Sequence, residues 1–335
     1  MYRFFTRILV LVFVACLAVF GTALWWLHEP IPLKLQPGAQ ALDLEIEPGT
    51  RGHTVAEVVV ASGADVPVLF LQAWFRLSGQ ARQIKAGSYE IVPGTTPRRL
   101  LSMLVRGEEA LKSVTLVEGW NFNQVRAALQ KAEQLAPDTQ GLSAETIMGK
   151  LGRPGVHPEG RFFPDTYTYA KGASDLAVLK RAARAMDKRV ETAWAMRNAD
   201  TPLKSPEQVL ILASVVEKET GKSSDRAQIA GVFINRLRVG MPLQTDPTVI
   251  YGMGDKFDGN LRRRDLQTDT AYNTYMRGGL PPTPIAMPGK AALSAAAQPA
   301  PTTALYFVAR GDGSSQFSAS LEEHNRAVNK YIRGQ

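Results

Sequence analysis

Residues 205–221 read SPEQVLILASVVEKETG, and this run predicts a largely apolar helix. Ser205 and Gln208 form a capping box at its start, and Pro206 between them occupies the first helical position. Gly221 is a suitable C′ residue at which the helix can stop. The run therefore predicts one helix with a defined beginning and end.

An acidic side chain continues the apolar face of this helix. Leu212, Val216 and Glu219 fall on one side at helical spacing. Burial and the helix C-terminus both disfavour a carboxylate, so we expect a raised pKa for Glu219. A protonated glutamic acid can donate its proton to a leaving oxygen. The alternative is that Glu219 and Glu217 are both surface residues on a fraying helix end.

The segments around this helix carry further patterns. Capping residues and apolar spacing predict helices over 121–134, 174–198, 226–237 and 321–332, and a short buried strand over 305–309. Residues 241–290 are rich in Pro, Gly, Asp and Asn, which predicts long structured loops. We therefore expect a mostly helical larger domain over 109–335.

A smaller unit precedes this domain, over residues 41–108. Apolar and acidic residues alternate over 42–46 and predict a half-buried strand. Turn signals and apolar runs then predict the order strand, helix, helix, strand, helix. Thr54 opens the first of these helices with a capping box, and Thr96 is the N-cap of the last. The fold class predicted for the whole chain is α+β, with a small α/β subdomain.

The N-terminus carries a long uncharged run, ILVLVFVACLAVFGTALWWL, at residues 8–27. Its length of 20 residues matches a bilayer core, and Arg3 and Arg7 before it favour a cytoplasmic N-terminus. We expect a cytoplasmic tail over 1–7, a transmembrane helix over 8–27, a linker over 28–40 and the rest of the chain outside the cytoplasm. The alternative is a cleaved signal peptide, whose apolar core is usually shorter, about 7–15 residues.

Composition narrows the chemistry. The chain has 335 residues, a formal net charge of +8, four histidines and one cysteine, Cys16. One cysteine allows neither an intrachain disulfide nor a cysteine zinc site, and no two histidines have metal-ligand spacing. Signatures of serine nucleophiles, P-loops and zinc peptidases are also missing. The sequence predicts carboxylate chemistry without a metal or cofactor, and a basic domain outside the cytoplasm suits an anionic wall rather than nucleic acid.

Two polar loop segments are candidates for sugar recognition. Gln244 and Asp246, within QTDPT at 244–248, place an amide and a carboxylate beside hydroxyl groups, which suits a polyhydroxylated ligand. A capped turn is the alternative. Tyr272 and Asn273 place an aromatic ring beside an amide, a combination typical of sugar platforms and also of ordinary loop packing.

A third segment, EGRFFPD at 159–165, combines three charged side chains. We expect Glu159, Arg161 and Asp165 to form ion pairs that brace a loop. A catalytic role for one of the two acids is the alternative.

Several longer runs resemble the endolytic murein transglycosylases, the YceG-like family. They are EGRFFPDTYTY (159–169), ILASVVEKETG (211–221), VFINRLRVGMPLQTDPTVIYG (232–252), AYNTYMRGGLPPTPIAMPG (271–289), LYFVARGDG (305–313) and LEEHNRAV (321–328). The resemblance covers about 115–335 closely and extends in layout to the N-terminal run and the small unit. It implies an inner-membrane protein with one N-terminal helix, a LysM-like subdomain over 41–108 and a YceG-like catalytic domain over 109–335.

The resemblance also implies the reaction. Family members cleave the β-1,4 bond between N-acetylmuramic acid and N-acetylglucosamine and leave a 1,6-anhydro end, which terminates nascent glycan strands. The matching motifs imply Glu219 as the catalytic acid, substrate contacts from Gln244, Asp246, Tyr272 and Asn273, and supporting roles for Glu217, Glu159, Asp165 and Asn235. The implied partners are peptidoglycan strands, the inner membrane and penicillin-binding synthases, with no nucleic acid.

Two other functions remain as alternatives. A muramidase-type hydrolase would leave reducing ends instead of anhydro ends. A non-catalytic peptidoglycan-binding scaffold of the cell-wall synthesis machinery would bind strands without cleaving them.

Overall fold

The computed structural model describes residues 2–35, 39–108, 110–219 and 222–334, with side chains from residue 10 onward. The structure is mixed α+β, with helices and two-stranded sheets. It forms two compact units, Met1–Lys112 and Ser113–Gln335, called unit 1 and unit 2 below. Gly221, predicted as a helix stop, and residues 36–38 of the predicted linker lie outside the described residues.

Unit 1 has the predicted element order after its first helix. It consists of α1 (Tyr2–Trp26), β1 (Leu42–Ile46), α2 (Gly52–Ala61), α3 (Val68–Leu77), a 3-10 turn (Ala81–Gln83), β2 (Gly87–Ile91) and α4 (Pro97–Arg106). Strands β1 and β2 pair in antiparallel register, with Leu42 opposite Ile91. Strand β1 alternates buried and exposed residues, so one face of the pair contributes to the core.

The helix starts of unit 1 agree only in part with the sequence prediction. Thr96 caps α4 as predicted, because its hydroxyl accepts the backbone N–H of Arg99. The capping box predicted at Thr54 is wrong. Helix α2 begins at Gly52, two residues earlier, so Thr54 already lies inside the first turn and cannot act as the N-cap.

Residues 28–35, part of the predicted linker, lie against the core of unit 1. Ile31 is 3% exposed, and its N–H donates to the carbonyl oxygen of Thr95 at 2.8 Å. Just before this segment, the ring of Trp26 packs edge-on against Phe70, with the ring centroids 5.6 Å apart. The end of α1 and the segment after it are therefore fixed to unit 1.

The described side chains of α1 are apolar and mostly exposed. Val10, Leu17 and Phe20 are 56, 53 and 63% exposed. In the part of the chain that the structure describes, no helix combines the length and the apolar character that crossing a membrane requires.

Unit 2 is mostly helical and begins within β3. Its elements are β3 (Leu111–Thr115), α5 (Phe122–Lys131), α6 (Ala144–Lys150), β4 (Thr166–Ala170), α7 (Asp175–Ala195), α8 (Pro206–Glu219), α9 (Arg226–Arg238), α10 (Asp246–Met253), α11 (Arg263–Gln267), α12 (Lys290–Ala297), β5 (Tyr306–Ala309), β6 (Ser315–Ser318) and α13 (Leu321–Val328). Strand β3 pairs with β4, and β5 pairs with β6 in antiparallel register. A π-helical turn, Asn329–Arg333, extends α13.

Two predictions for unit 2 need correction. Residues 241–290 are not loops throughout, because α10 and α11 lie within them. The strand predicted as buried at 305–309 is half-buried, with its last residue exposed. Each strand of a two-stranded ribbon has only one neighbouring strand, so much of the surface of the ribbon stays exposed.

Helix α8 lies at the centre of unit 2 and packs against α7, α9 and α12. Every residue from Val209 to Val216 is buried. The face that carries Leu212 and Val216 is therefore one side of a helix that is apolar and buried all round. This packing fixes the end of α8, where Glu217 and Glu219 follow.

Gly231 allows α9 to approach the segment at 300–302. A Cβ atom at this position would lie 2.7 Å from the Ala300 carbonyl oxygen and 2.7 Å from Thr302 Cγ2. We expect Gly231→Ala to lower the free energy of unfolding by about 1–3 kcal/mol, because backbone must move to relieve the overlap. Urea unfolding measures this change.

The control is Gly149→Ala in α6, where a Cβ atom meets nothing within 4 Å. Alanine is the better helix former, so this variant should gain up to about 1 kcal/mol. Equal stabilisation of both variants would contradict the close approach at Gly231.

Candidate active site

Glu219 is the last residue of α8, and its carboxylate is held by Thr245. The Thr245 hydroxyl donates to Glu219 Oε1. Thr245 is 1% exposed, and its own N–H donates to the hydroxyl oxygen of Thr274 at 3.1 Å. Because Oε1 accepts this hydrogen bond, the proton of the neutral glutamic acid belongs on Oε2.

The surroundings of Glu219 favour its neutral form. Burial raises the pKa of Glu219, which agrees with the direction predicted from the sequence. The hydrogen bond from Thr245 lowers this pKa, the carboxylate of Asp246 raises it, and the guanidinium of Arg236 lowers it. The net effect is a raised pKa, which suits a group that must carry a proton near neutral pH.

The predicted Gln244 and Asp246 lie on either side of Thr245, with Gln244 in the loop before α10 and Asp246 as the first residue of that helix. Both side chains are exposed. Gln244 has a φ of 47°, a left-handed conformation that is uncommon for a residue other than glycine and is often found at functional sites. The hydroxyl of Tyr275 donates to Asp246 Oδ1 at 2.6 Å. The structure thus brings both predicted residues next to the Glu219–Thr245 pair.

The two residues of the predicted aromatic platform have different positions. Tyr272 is half-buried, bonds through its hydroxyl to Thr283 at 2.8 Å and packs edge-on against Tyr251 with centroids 4.8 Å apart. Asn273 is 0% exposed. Its Nδ2 donates to three backbone carbonyls at 265–268, and its Oδ1 accepts the N–H of Tyr275. The prediction that Asn273 contacts substrate is therefore corrected, because its amide is occupied in holding the loop.

A cleft of about 790 Å³ lies beside this loop. It is lined by the first turn of α5, by Lys218, by Tyr251 and Tyr272, and by Glu159. Lys218 is the residue before Glu219, and Pro247 of α10 also lines the cleft. Within the described residues, no three Asp, Glu, His or Cys side chains come together as a metal site requires.

Glu159 is a buried acid at this cleft. It is 3% exposed, and its Oε2 accepts the N–H of Phe122 at 3.3 Å and the hydroxyl of Tyr251 at 3.1 Å. Burial raises the pKa of Glu159 to about 7, although these two hydrogen bonds lower it. Glu159 therefore exchanges a proton near neutral pH.

The ion pairs predicted among Glu159, Arg161 and Asp165 do not form. Arg161 instead makes a bidentate pair with Glu207 at the start of α8, with distances of 2.8 and 2.6 Å. Asp165 is exposed, and its Oδ1 accepts the N–H of Thr166, where β4 begins. The loop is braced by a partner far along the sequence, which local spacing could not reveal.

Glu217 and Asn235 hold neighbouring segments together. Glu217 Oε2 accepts the N–H of Gly289 at 2.8 Å, and Glu217 Oε1 lies 3.8 Å from Nη2 of Arg226. Burial raises the pKa of Glu217. The Nδ2 of Asn235 donates to the carbonyl oxygens of Thr302 and Ala304 at 2.8 and 3.0 Å. These are the contacts of bracing residues.

Three residues at the site were not among the predicted site residues. Thr245 and Arg236 lie within the quoted run at 232–252 and Tyr275 within the run at 271–289, so their neighbourhood was a usable signal. Arg236 is 7% exposed and donates to the carbonyl oxygens of Leu305 and Leu243. An arginine near the end of a helix normally indicates a surface position, so the burial of Arg236 could not be predicted from its place in the helix.

The buried Glu159 should make stability depend on pH. An unfolded glutamate has a pKa of about 4.3, so between there and about 7 the unfolded chain loses a proton that the folded protein retains. Stability therefore falls as pH rises through this range. We expect Glu159→Gln to remove the share of this fall that belongs to Glu159, and to be about 3–4 kcal/mol more stable than the wild type at pH 8. Urea unfolding at pH 5 and pH 8 measures it.

The control for this prediction is Glu133→Gln, at an exposed position. It should follow the wild-type dependence on pH. A wild type and a Glu159→Gln variant with parallel curves would contradict the raised pKa.

Comparison with known proteins identifies relatives over most of the chain. The model of the YceG-like family matches residues 44–330. A Bacillus subtilis protein named endolytic murein transglycosylase is 31% identical over 309 residues, covering 87% of this chain and 85% of its own length. A Streptococcus pneumoniae protein of the same name is 28% identical over 286 residues, covering 74% of this chain and 51% of its own length.

A solved structure supports the same relationship. The crystal structure of a yceG-like protein from Listeria monocytogenes is similar with a TM-score of 0.53 and 26% identity, covering 86% of this chain and 98% of that one. The family model, the sequence relatives and this structure all span both units. The chain therefore belongs to the YceG-like family.

Proposed function

We propose that this protein is a lytic transglycosylase that cleaves peptidoglycan glycan strands, with Glu219 as its general acid and base. The Glu219–Thr245 pair carries the proposal: an acid with a raised pKa at the end of a buried helix, with one oxygen held by a hydroxyl group. The relatives named endolytic murein transglycosylase support the reaction and the substrate.

One carboxyl group is enough when the substrate supplies the nucleophile. Glu219 gives its proton from Oε2 to the glycosidic oxygen as the bond from that oxygen to C1 of the muramoyl sugar breaks. The C6 hydroxyl oxygen of the same sugar then bonds to C1, and its proton passes to the Glu219 carboxylate. The product is a 1,6-anhydro end, and no water is consumed. Attack within one sugar is favoured by proximity.

We propose that three residues contact the sugars on either side of the cleaved bond. Gln244 and Asp246 are exposed on both sides of Thr245, and Tyr272 lines the adjacent cleft. Asn273, Asn235 and Glu217 act by holding the loops that present them. The assignment rests on their placement around Glu219.

We also propose that the N-terminal run attaches the protein to the inner membrane as a single transmembrane helix, with the N-terminus cytoplasmic and residues 28–335 outside. Its support is the uncharged sequence over 8–27 after Arg3 and Arg7, and the exposed apolar side chains of α1. Residues 41–108 are proposed as a LysM-like subdomain from the family relationship, and the element order of unit 1 after α1 supports it. Peptidoglycan synthases are the proposed protein partners, because the synthases and this protein would both act on strands near the membrane.

Mass spectrometry of the glycan ends after digestion of peptidoglycan tests the proposed reaction. We expect new ends that carry 1,6-anhydromuramoyl residues, because the nucleophile belongs to the substrate. Reducing ends would indicate a muramidase-type hydrolase. Strands that are bound and never cut would indicate the non-catalytic scaffold.

A further inference from the structure

Resting on the membrane attachment proposed above, we propose that unit 1 has a surface that lies against an acidic phospholipid bilayer. We call it the interfacial face. It consists of exposed apolar and basic side chains on and beside α3: Leu69, Phe70, Leu77, Arg51, Arg76 and Arg82.

The apolar part of this face is large for a helix that already has a buried side. Leu71 and Phe75 of α3 are 0 and 1% exposed and belong to the core of unit 1. Leu69, Phe70 and Leu77 are nevertheless 73, 54 and 83% exposed. Leu69 and Leu77 are eight residues apart and so lie on the same side of the helix. Grouped exposure of this kind indicates a binding surface rather than scattered surface residues.

The basic part surrounds these leucines. Arg51, Arg76 and Arg82 line one groove of about 1460 Å³ together with Leu69 and Leu77. Within the described residues, none of the three arginines forms an ion pair with an acidic side chain. The nearby acid Glu57 instead accepts a hydrogen bond from Gln72 of α3 at 3.2 Å. The groove therefore has uncompensated positive charge beside apolar surface.

The end of α1 fixes where this face lies. Phe70 contacts Trp26, the last residue of the apolar helix, and Ile31 is buried in unit 1. Ile31 lies five residues after Trp26, and five residues of extended chain span at most about 18 Å. The part of unit 1 that follows α1 therefore cannot move far from the end of that helix. Tryptophan at such a position is typical of a membrane–water interface. A membrane that holds α1 would thus hold α3 at the level of the head groups.

An acidic lipid surface matches both parts of the face. Leucine and phenylalanine side chains enter the boundary between head groups and acyl chains, while arginines attract anionic head groups. Thr50 and Gln72 also line the groove. The Thr50 hydroxyl already donates to the Glu47 carbonyl oxygen and the Gln72 amide to Glu57, so both groups are engaged within unit 1. The chemistry of this face therefore favours phospholipid.

Depth measurements on the full chain test the proposal. The protein, in a Cys16→Ser background, is reconstituted into vesicles of phosphatidylcholine containing a quarter phosphatidylglycerol. An environment-sensitive dye is attached at Leu69→Cys or at Leu77→Cys. The reference is Val239→Cys in unit 2, whose native side chain is 66% exposed. We expect brominated lipids to quench the dye at 69 and 77 and to leave the dye at 239 unquenched.

The charged part is tested by combining Arg76→Glu and Arg82→Glu with the dye at 77. We expect this variant to lose quenching in the acidic vesicles. If the protein floats with the vesicles but 69 and 77 stay as water-exposed as 239, the interfacial face is overturned while the attachment stands. If it does not float at all, the attachment itself is overturned. Release of anhydro ends in the same samples reports on the proposed function separately.

Discussion

Glu219→Gln should lower the rate of 1,6-anhydro end formation by about 10²–10⁴-fold, the usual contribution of a general acid and base. The variant keeps the size of the side chain and can still accept the hydrogen bond of Thr245 on its amide oxygen. It has no proton to give to the glycosidic oxygen. Mass spectrometry of glycan ends measures the rate, and thermal unfolding measures whether the fold is intact. Because the replaced carboxyl group is buried, we expect no loss of stability.

Two matched variants decide whether this loss belongs to Glu219 alone. Glu191→Gln, at an exposed position on α7, should leave the rate unchanged. Glu217→Gln removes an acid of the same helix whose contacts are Gly289 and Arg226, so it should cost stability more than rate. A large loss of rate in a stable Glu217→Gln, with Glu219→Gln still active, would assign the general acid to Glu217.

Thr245→Val should lower the rate by about 10²-fold, because a misplaced catalytic group loses that much. Valine has nearly the shape of threonine and lacks the hydroxyl that donates to Glu219 Oε1. The pH profile supplies a second readout. The hydrogen bond lowers the pKa of Glu219, so its removal raises this pKa. The acid then stays protonated to higher pH, and the basic limb of the kcat/KM profile moves to higher pH.

Thr245→Ser is the conservative partner of this variant. It restores the hydroxyl, and we expect it to recover both the rate and the position of the basic limb. Since valine and serine both alter the packing of the buried site, a structural role alone predicts similar damage from each. A Thr245→Val profile with unchanged pH dependence would contradict the positioning role.

Local patterns predicted the elements, and they could not predict the contacts between them. The position of helix α8 and the raised pKa of Glu219 both follow from apolar spacing within one run of residues. The element order of unit 1 follows from turn residues and alternation. These features depend on neighbours a few residues apart, and the sequence displays such neighbours directly.

Contacts between distant segments decided the rest. The partner of Arg161 is Glu207, and Tyr251 donates to Glu159 from 92 positions away. The sequence predicts a sugar contact for Asn273, but an amide beside a tyrosine is equally consistent with sugar binding and with loop packing. Only the three carbonyl oxygens around its Nδ2 show that it holds a loop. Side-chain type therefore indicated where chemistry occurs, while tertiary packing assigned the individual roles.

The hydroxyl of Thr245 could cap helix α10, but the protein does not use it in this way. Thr245 is the N-cap residue of α10, yet its side chain makes no capping hydrogen bond with that helix. A capping side chain usually adds about 1 kcal/mol of stability. Selection for heat resistance would accordingly favour a stronger cap here, such as aspartate, whose charge would lie beside Glu219. We therefore expect stabilising substitutions in thermostable variants of this enzyme at the starts of other helices. At Thr245, a stronger cap would lower the catalytic turnover.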